Sequence, residues 1–397
     1  MWIRGRAVAA AFVGGLIALV LTIPVARYSL TEEGAQGAGL PDDATTTARA
    51  TADAEPLHED SRTVLVRERA DAIARAHVWR TPTTPIARAH LGADPTTPSI
   101  IECRFRLSDL GGTTPKFNCV LDSGKELRVK YGPGAEIPGE AAATRLLTAL
   151  GFVADTVTLV ERLRCYGCPN EPFVTTKVVE ATGAQQLYER VADDDDYEDF
   201  EWVAVEQKFA ARPIETENQK GWAFFELDAV DQSKGGAPRA HVDALRLLAV
   251  FLAHWDNKAE NQRLVCLSKT WPEGTACREP FLLLQDVGST FGPRRVDLEG
   301  WERSKVWEDR SACRLSMKDL PHGGATFESA HVSERGRRFL GTLLHELTDA
   351  QLTDLFTWAR FDKPRSRLME TRPVSDWVRV FKSRVREISE GPPCPDA

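Results

Sequence analysis

Alternating apolar and polar positions predict strands at the start of the folded region. Three such runs follow one another closely, separated by turn-rich segments at 108–115 and 122–125. The runs are Ile100–Leu107, Lys116–Leu121 and Glu126–Tyr131. Because short turns connect antiparallel neighbours, we predict three antiparallel strands joined by two turns.

The hydrophobic period then changes to that of a helix. Pro138 suits the first turn of a helix, Gly151 suits its end, and leucines recur between them at helical spacing. Two more strand-like runs follow, Thr156–Leu163 and Phe173–Val179. Residues 100–180 are therefore predicted to form a five-strand sheet with one helix inserted.

The pattern after residue 180 is mainly helical. An acidic stretch, Asp193–Glu201, marks the change, and later segments carry apolar residues at helical spacing. These segments are Val242–Ala253, Gly341–Ala359 and Val374–Ile388. We predict an α+β protein with a small antiparallel sheet at 100–180, a larger helical part at 181–391 and a short tail at 392–397.

The N-terminus predicts targeting to a membrane. Arg4 and Arg6 precede an uncharged run, Ala7–Ala26, which is long enough to span a bilayer. Basic residues ahead of the run leave the N-terminus in the cytoplasm and send the rest across. We expect an exported chain, on the periplasmic or extracellular/lumenal side, held by a single N-terminal transmembrane helix. Pro24 makes a poor cleavage site, although a cleaved signal peptide at 1–30 stays open.

The segment from 31 to 99 is predicted to be a mostly disordered linker. It is rich in Ala, Thr, Gly and Pro, and its first half has few large apolar residues that could be buried. Thr63–Val78 can form a short helix within it. The folded domain is therefore expected to begin near Ile100.

Composition argues against one class of partner and indicates the redox conditions of the compartment. The formal net charge is -8 and the sequence pI is about 5.6, which argues against a nucleic-acid partner. The chain has eight cysteines, an even number, and disulfides are the default expectation in an exported protein. Cys165 and Cys168 form a lone C-x-x-C, for which zinc, a disulfide and free thiols are the alternatives.

The sharpest motif is His254-Trp255-Asp256-Asn257-Lys258-Ala259-Glu260-Asn261, directly after a predicted buried helix. It resembles the protein-kinase catalytic loop H-R-D-L-K-P-E-N, and it departs from that loop at Trp255, Asn257 and Ala259. Two predicted strands, Gln262–Leu267 and Pro280–Gln285, then deliver Asp286-Val287-Gly288, which resembles the D-F-G segment. Cys266 and Cys277 lie near the ends of this hairpin, and we expect them to pair; Cys103 with Cys119 is a second expected pair.

The resemblance to the protein-kinase-like superfamily implies a bilobal fold and assigns roles to residues. It implies that Asn261 and Asp286 hold Mg²⁺ or Mn²⁺, that Asp256 orients or deprotonates an acceptor hydroxyl, and that ATP is the donor. Lys130 would hold the phosphates and Glu140 would orient it, with Glu136 as the rival partner. The turn at Gly111 and Gly112 lies where a phosphate-covering loop is expected.

The chain has no A-P-E-like segment, so the resemblance is closer to atypical branches, the secretory-pathway or phosphoinositide-kinase-like families. The predicted function is phosphoryl transfer from ATP to an unknown hydroxyl on a protein, glycan, lipid or small molecule. Related folds also transfer the nucleotide itself or activate a carboxylate. The alternative is a pseudokinase, which would bind nucleotide or serve as a scaffold without turnover. A hydrolase using His254 with Asp256 would lack a nucleophile-elbow serine.

Overall fold

A computed structural model of the chain describes residues 61–191, 195–216, 218–268, 275–321, 323–363 and 371–395. Within these ranges the protein has a mixed α/β fold with a largely antiparallel sheet and many helices, in agreement with the predicted α+β class. The predicted membrane segment at 1–30 lies outside the described residues. Inside them, no helix is both long and apolar enough to cross a bilayer.

The main sheet is closed, with five strands in the order β1-β2-β3-β5-β4. Its strands are β1 (Ile100–Arg106), β2 (Lys116–Val120), β3 (Glu126–Lys130), β4 (Thr156–Tyr166) and β5 (Tyr197–Gln207). Neighbours are antiparallel except β1 and β4, which run parallel with Cys103 opposite Cys165. The first four strands start where the alternating pattern predicts, and their apolar side chains, including Phe117 and Val129, fill the interior.

The helices and the remaining strands follow the chain. The helices are α1 (Ser61–Ala74), α2 (Glu136–Ala149), α3 (Pro172–Thr182), α4 (Gln185–Val191), α5 (Arg239–Leu252), α6 (Leu298–Arg303), α7 (Glu334–His345), α8 (Asp349–Trp358) and α9 (Val374–Ser389). Short 3-10 helices lie at Ile86–Arg88, Phe224–Ala229, Gln232–Lys234 and Ala259–Asn261. The remaining strands are β6 (Arg212–Pro213), β7 (Gln262–Cys266), β8 (Pro280–Leu284), β9 (Trp307–Asp309) and β10 (Arg314–Leu315).

The fifth strand is not the one that the sequence predicts. Phe173–Val179, predicted as a strand from its apolar and β-branched residues, lies in helix α3. Pro172 occupies the start of this helix and Gly183, with φ of 66°, ends it. The true fifth strand, β5, begins inside the acidic segment, where Phe200 packs on the interior of the sheet. Acidic residues between its apolar positions conceal the pattern of a strand.

A second difference concerns the segment 61–99, which was predicted to be mostly linker. The structure places α1 there, and Ile73, Val78 and Leu91 are buried in the same core as α5. The His77 amide donates to the Pro280 carbonyl at 2.9 Å, which joins this segment to β8. The folded unit therefore begins near residue 61 rather than near residue 100, and residues 31–60 lie outside the described ranges.

The helical part also departs from the predicted segments in one place. Gly341–Ala359 was predicted as one helix, but it spans the end of α7 and all of α8. The break arises because the Thr348 side chain accepts a hydrogen bond from the Gln351 amide at 3.2 Å and starts a new helix.

All eight cysteines form disulfides, which are typical of oxidising compartments. The expected pairs Cys103–Cys119 and Cys266–Cys277 are confirmed, with Cα atoms 5.7 and 5.8 Å apart. Cys165 bonds to Cys168, which excludes zinc from this C-x-x-C in its oxidised form. The predicted tail is attached to the domain, because buried Cys394 bonds to Cys313.

A buried carboxylate, Asp155, lies just before β4 and joins it to the connection that follows β5. It accepts the Phe209 amide at 2.7 Å and the Arg263 guanidinium at 3.3 Å. Arg263 also donates to the main-chain oxygens of Phe209 and Ala211. Burial raises the pKa of Asp155 to about 6, although the Phe209 amide and Arg263 oppose the rise.

We expect the free energy of unfolding to fall as rising pH ionises Asp155. Its folded pKa lies above the ordinary value, so the folded protein holds this proton more tightly than the unfolded chain between pH 4 and 6. Relative to Asp155→Asn, the wild type should lose about 2 kcal/mol of unfolding free energy between pH 4.5 and pH 7.5. Urea unfolding of both proteins at the two pH values measures this difference. Equal pH dependence would contradict the assignment.

Candidate active site

The ammonium group of Lys130 lies among four carboxylates, three of them buried. Lys130 ends β3, its side chain is 2% exposed, and Nζ donates to both oxygens of Glu140 at 2.8 Å. Three further carboxylates face the same nitrogen, those of Glu136 at 3.4 Å, Asp286 at 3.7 Å and Glu206 at 3.9 Å. The structure thus pairs Lys130 with Glu140, while the rival Glu136 lies one helical turn earlier on α2.

These contacts determine the charges in the site. Burial lowers the pKa of Lys130, but the four carboxylates outweigh it and the net pKa is well above its ordinary value. Burial raises the pKa of Asp286, but Lys130 and the Gly288 amide outweigh it and the net pKa is lowered. Lys130 and Asp286 are therefore both charged at neutral pH. Burial raises the pKa of Glu140 well above its ordinary value, although Lys130 opposes the rise. Three further carboxylates still face the ammonium group of Lys130, so the site suits a bound cation.

A second lysine, Lys116, lies beside Lys130 on β2 and approaches the glycine turn. Burial, followed by repulsion from Lys130, lowers the pKa of Lys116. Gly112 in the turn has φ of 73°, and a Cβ atom there would lie 3.2 Å from Lys116 Nζ. The turn at Gly111 and Gly112 is therefore close to the ammonium group of Lys116, while its contact with phosphate stays a prediction.

Glu136 connects three parts of the site. Its carboxylate accepts a hydrogen bond from Thr114, beyond the glycine turn, and lies 3.7 Å from Arg295, which follows the Asp286 segment. A Cβ atom at Gly288 would lie 2.2 Å from Glu136 Cγ, so only glycine fits at that position. The glycine of Asp286-Val287-Gly288 is thus required by the packing of α2.

Asn261 and Asp286 are held together by the main chain. The Asn261 carbonyl accepts the amides of Gln285 and Asp286, both at 3.0 Å. The Asn261 side-chain amide donates to the main-chain oxygen of Asp256 at 2.6 Å, which leaves its oxygen end as the acceptor for a cation. The Asp256 carboxylate is 21% exposed and lies 3.2 Å from Lys258 Nζ.

His254 is fully buried beneath this loop. Burial lowers its pKa to about 4, although the carboxylates of Asp286 and Asp256 oppose this, so the imidazole is neutral at physiological pH. Its side chain has no exposed surface from which to reach a substrate. This burial favours a structural role for His254 and disfavours its use as the base of a hydrolase.

The positions that depart from the kinase pattern also contribute contacts. Asn257 is buried, and its side-chain oxygen accepts the amides of Thr326 at 2.7 Å and Phe327 at 2.9 Å. Trp255 donates to the Gly292 carbonyl at 3.3 Å, with the Arg295 guanidinium 5.4 Å from its ring. A cavity of about 270 Å³ lies between these two residues and the 317–329 segment. Nothing local in the sequence indicates these contacts, because their partners lie far along the chain.

The side chains present fit a divalent cation that also binds a nucleotide. Across the described ranges, no group of three or more His, Cys, Asp and Glu residues could hold a metal by itself. One carboxylate, Asp286, and one amide oxygen, Asn261, are nevertheless the type of partial ligand set with which proteins hold Mg²⁺ when phosphates and water complete the shell. The metal role of both residues stays a proposal.

No protein-family model and no curated protein matches this chain. Among solved structures, the chain is similar to the crystal structure of a Helicobacter pylori proinflammatory kinase, CtkA. The likeness covers 73% of this chain and 94% of that chain, with 9% sequence identity and a TM-score of 0.38. A likeness of this extent carries no argument about function, which must come from the site itself.

Proposed function

We propose that this protein is an ATP-dependent phosphotransferase of the kinase-like superfamily, with a bilobal protein-kinase-like fold, acting outside the cytoplasm on a hydroxyl acceptor. The observation that carries the proposal is the convergence of Lys130, Asn261 and Asp286. They come from β3, the end of the Asp256 loop and the end of β8, three distant parts of the sequence. Their charges and donors match what a metal-bound triphosphate requires.

In this proposal Lys130 binds the phosphates of ATP, and Glu140 holds the ammonium group in place through two hydrogen bonds. Buried and paired, Lys130 keeps its positive charge when the site closes on a substrate. Lys116 adds a second positive charge on the side of the glycine turn. The main-chain amides of Gly111 and Gly112 would donate to phosphate oxygens.

Asp286 and Asn261 would hold Mg²⁺ or Mn²⁺. When bound, such an ion neutralises the charge that develops on the transferred phosphoryl group. Asp286 suits this position because its lowered pKa keeps it ionised and its side chain, 3.7 Å from Lys130 Nζ, is 33% exposed. Asn261 is fixed by its bond to the Asp256 carbonyl, so its oxygen keeps one orientation.

Asp256 would orient the acceptor hydroxyl and accept its proton as the oxygen attacks. The carboxylate is partly exposed and belongs to the same loop as Asn261, which couples acceptor and donor positions. Lys258, with Nζ 3.2 Å from this carboxylate, would contact the transferred group. The acceptor in this proposal is a hydroxyl group that reaches the Asp256 carboxylate.

The proposal of action outside the cytoplasm is supported by the four disulfides together with the basic and apolar N-terminal sequence.

Incubation of the full-length protein with Mn²⁺ and γ-labelled ATP tests the proposed activity. Protein, glycan, lipid and small hydroxyl compounds serve as acceptors in parallel reactions. We expect the label to move to at least one acceptor class. Nucleotide binding without consumption of ATP, whatever the acceptor, would instead support the pseudokinase alternative.

A further inference from the structure

Side chains of helix α3 bind both main-chain polar groups of Leu110, the residue before the glycine turn. The Glu180 carboxylate accepts the Leu110 amide at 2.8 Å, and the Lys177 ammonium donates to the Leu110 carbonyl. Lys177 and Glu180 also pair with each other at 2.7 Å. Because Leu110 is 2% exposed, its main-chain groups depend on these two side chains rather than on water.

The same helix contacts the residue that follows Lys130. The Phe173 amide, in the first turn of α3, donates to the Tyr131 hydroxyl at 3.2 Å. Thr176 and Val179 are buried on the face with which α3 packs against the sheet. Helix α3 therefore contacts the residue before the glycine turn and the residue after β3, the strand that ends at Lys130.

The position of α3 is constrained by a disulfide just before it. Cys165 lies in β4, and Cys168 lies in the turn that leads into α3. Seven of the eight cysteines are buried, whereas Cys168 is half-buried. Exposure gives an external thiol access to this bond before the others.

We propose that α3 is a positioning element for the glycine turn, that Lys177 and Glu180 are its positioning residues, and that the Cys165–Cys168 disulfide keeps α3 where they reach Leu110. An external dithiol would reduce this bond by two electrons and two protons, leaving thiols on Cys165 and Cys168 and becoming a disulfide itself. The turn is then less restrained. The consequence for nucleotide affinity rests on the function proposed above, whereas the restraint on the turn does not.

Amide hydrogen exchange tests the restraint without any nucleotide. Two variants of the full-length protein are compared with the wild type: Cys165→Ser with Cys168→Ser, and Lys177→Ala with Glu180→Ala. We expect exchange at residues 110–113 to rise by roughly tenfold or more in both variants. Lys125→Ala is the matched control, because Lys125 makes one exposed contact, with Gln207 at 2.9 Å, and should leave this exchange unchanged.

Affinity for Mn²⁺-ATP gives the second readout. We expect it to fall by about fivefold to tenfold in each variant and by little more when both sets of changes are combined, since they act through one element. Mild treatment of the wild type with dithiothreitol, followed by alkylation and mass mapping, should label Cys165 and Cys168 first.

Unchanged exchange at 110–113 in either variant would overturn the inference, because the turn would then hold its place without α3 or its disulfide. The variant with Lys177→Ala and Glu180→Ala keeps every disulfide. Its amide exchange at residues 110–113 therefore tests the inference even where the serine variant folds poorly. Absence of ATP binding by the wild type would defeat the proposed function and leave the exchange result standing.

Discussion

Replacement of Asp286 by Ala is expected to abolish the effect of Mn²⁺ on ATP binding and to lower metal-dependent affinity by about a hundredfold. Asp286 is the ionised carboxylate that ends the β7–β8 hairpin, and Asn261 holds its amide. Of the four carboxylates that face Lys130 Nζ, only that of Asp286 follows this hairpin. Any turnover should fall with the affinity. Calorimetric titration with ATP, with and without Mn²⁺, measures the change.

Glu206→Gln provides the matched control for this prediction. Glu206 also faces Lys130, at 3.9 Å, but it lies on β5 and is assigned no metal. This variant removes one negative charge from around Lys130 while keeping the volume of the side chain. It should therefore retain the gain in affinity that Mn²⁺ gives. If Asp286→Ala retained this gain as well, the metal assignment would be wrong.

Replacement of Asp256 by Ala should lower turnover while leaving ATP affinity nearly unchanged. We expect ATP affinity to stay within a few-fold of the wild type, because the proposed function assigns the Asp256 carboxylate to the acceptor and not to the metal. Turnover should fall by roughly a hundredfold or more, because the acceptor hydroxyl loses the group that orients it and takes its proton. Parallel measurements of ATP affinity and phosphoryl transfer separate the two effects.

Glu260→Ala, in the same loop, is the control for Asp256→Ala. Glu260 is exposed and has no assigned role in the reaction, so its removal should leave both affinity and turnover near wild-type values. A large loss of affinity in Asp256→Ala would show that Asp256 acts on the nucleotide side. Unchanged turnover would remove it from the reaction.

The fold was predictable where local pattern and tertiary environment agree. Strands β1 to β3 alternate, and short turns connect them, so their bounds can be read from the sequence. Phe173–Val179 has the composition of a strand, yet Pro172 and burial of Thr176 and Val179 favour helix α3. Segment 61–99 looks polar overall, but a few residues such as Ile73 and Leu91 suffice to anchor it in the core.

The residues of the candidate site also fall into those that the sequence indicates and those that it does not. Lys130, Glu140, Asn261 and Asp286 could be proposed from the sequence because each lies at a fixed place relative to a predicted strand or helix. Glu206 was missed because its strand was not predicted. The links from Lys177 and Glu180 to Leu110 were missed because they span about seventy residues, and spacing along a chain says nothing about such contacts.

The central claim is tested most directly by calorimetric titration of the full-length protein with ATP in the presence of Mn²⁺. The account predicts binding of one nucleotide per chain, strengthened by Mn²⁺, because Lys130 supplies a phosphate partner and Asp286 with Asn261 supplies a metal site. Absence of ATP binding, with and without Mn²⁺, would contradict the assignment of Lys130, Asn261 and Asp286 and with it the proposed function.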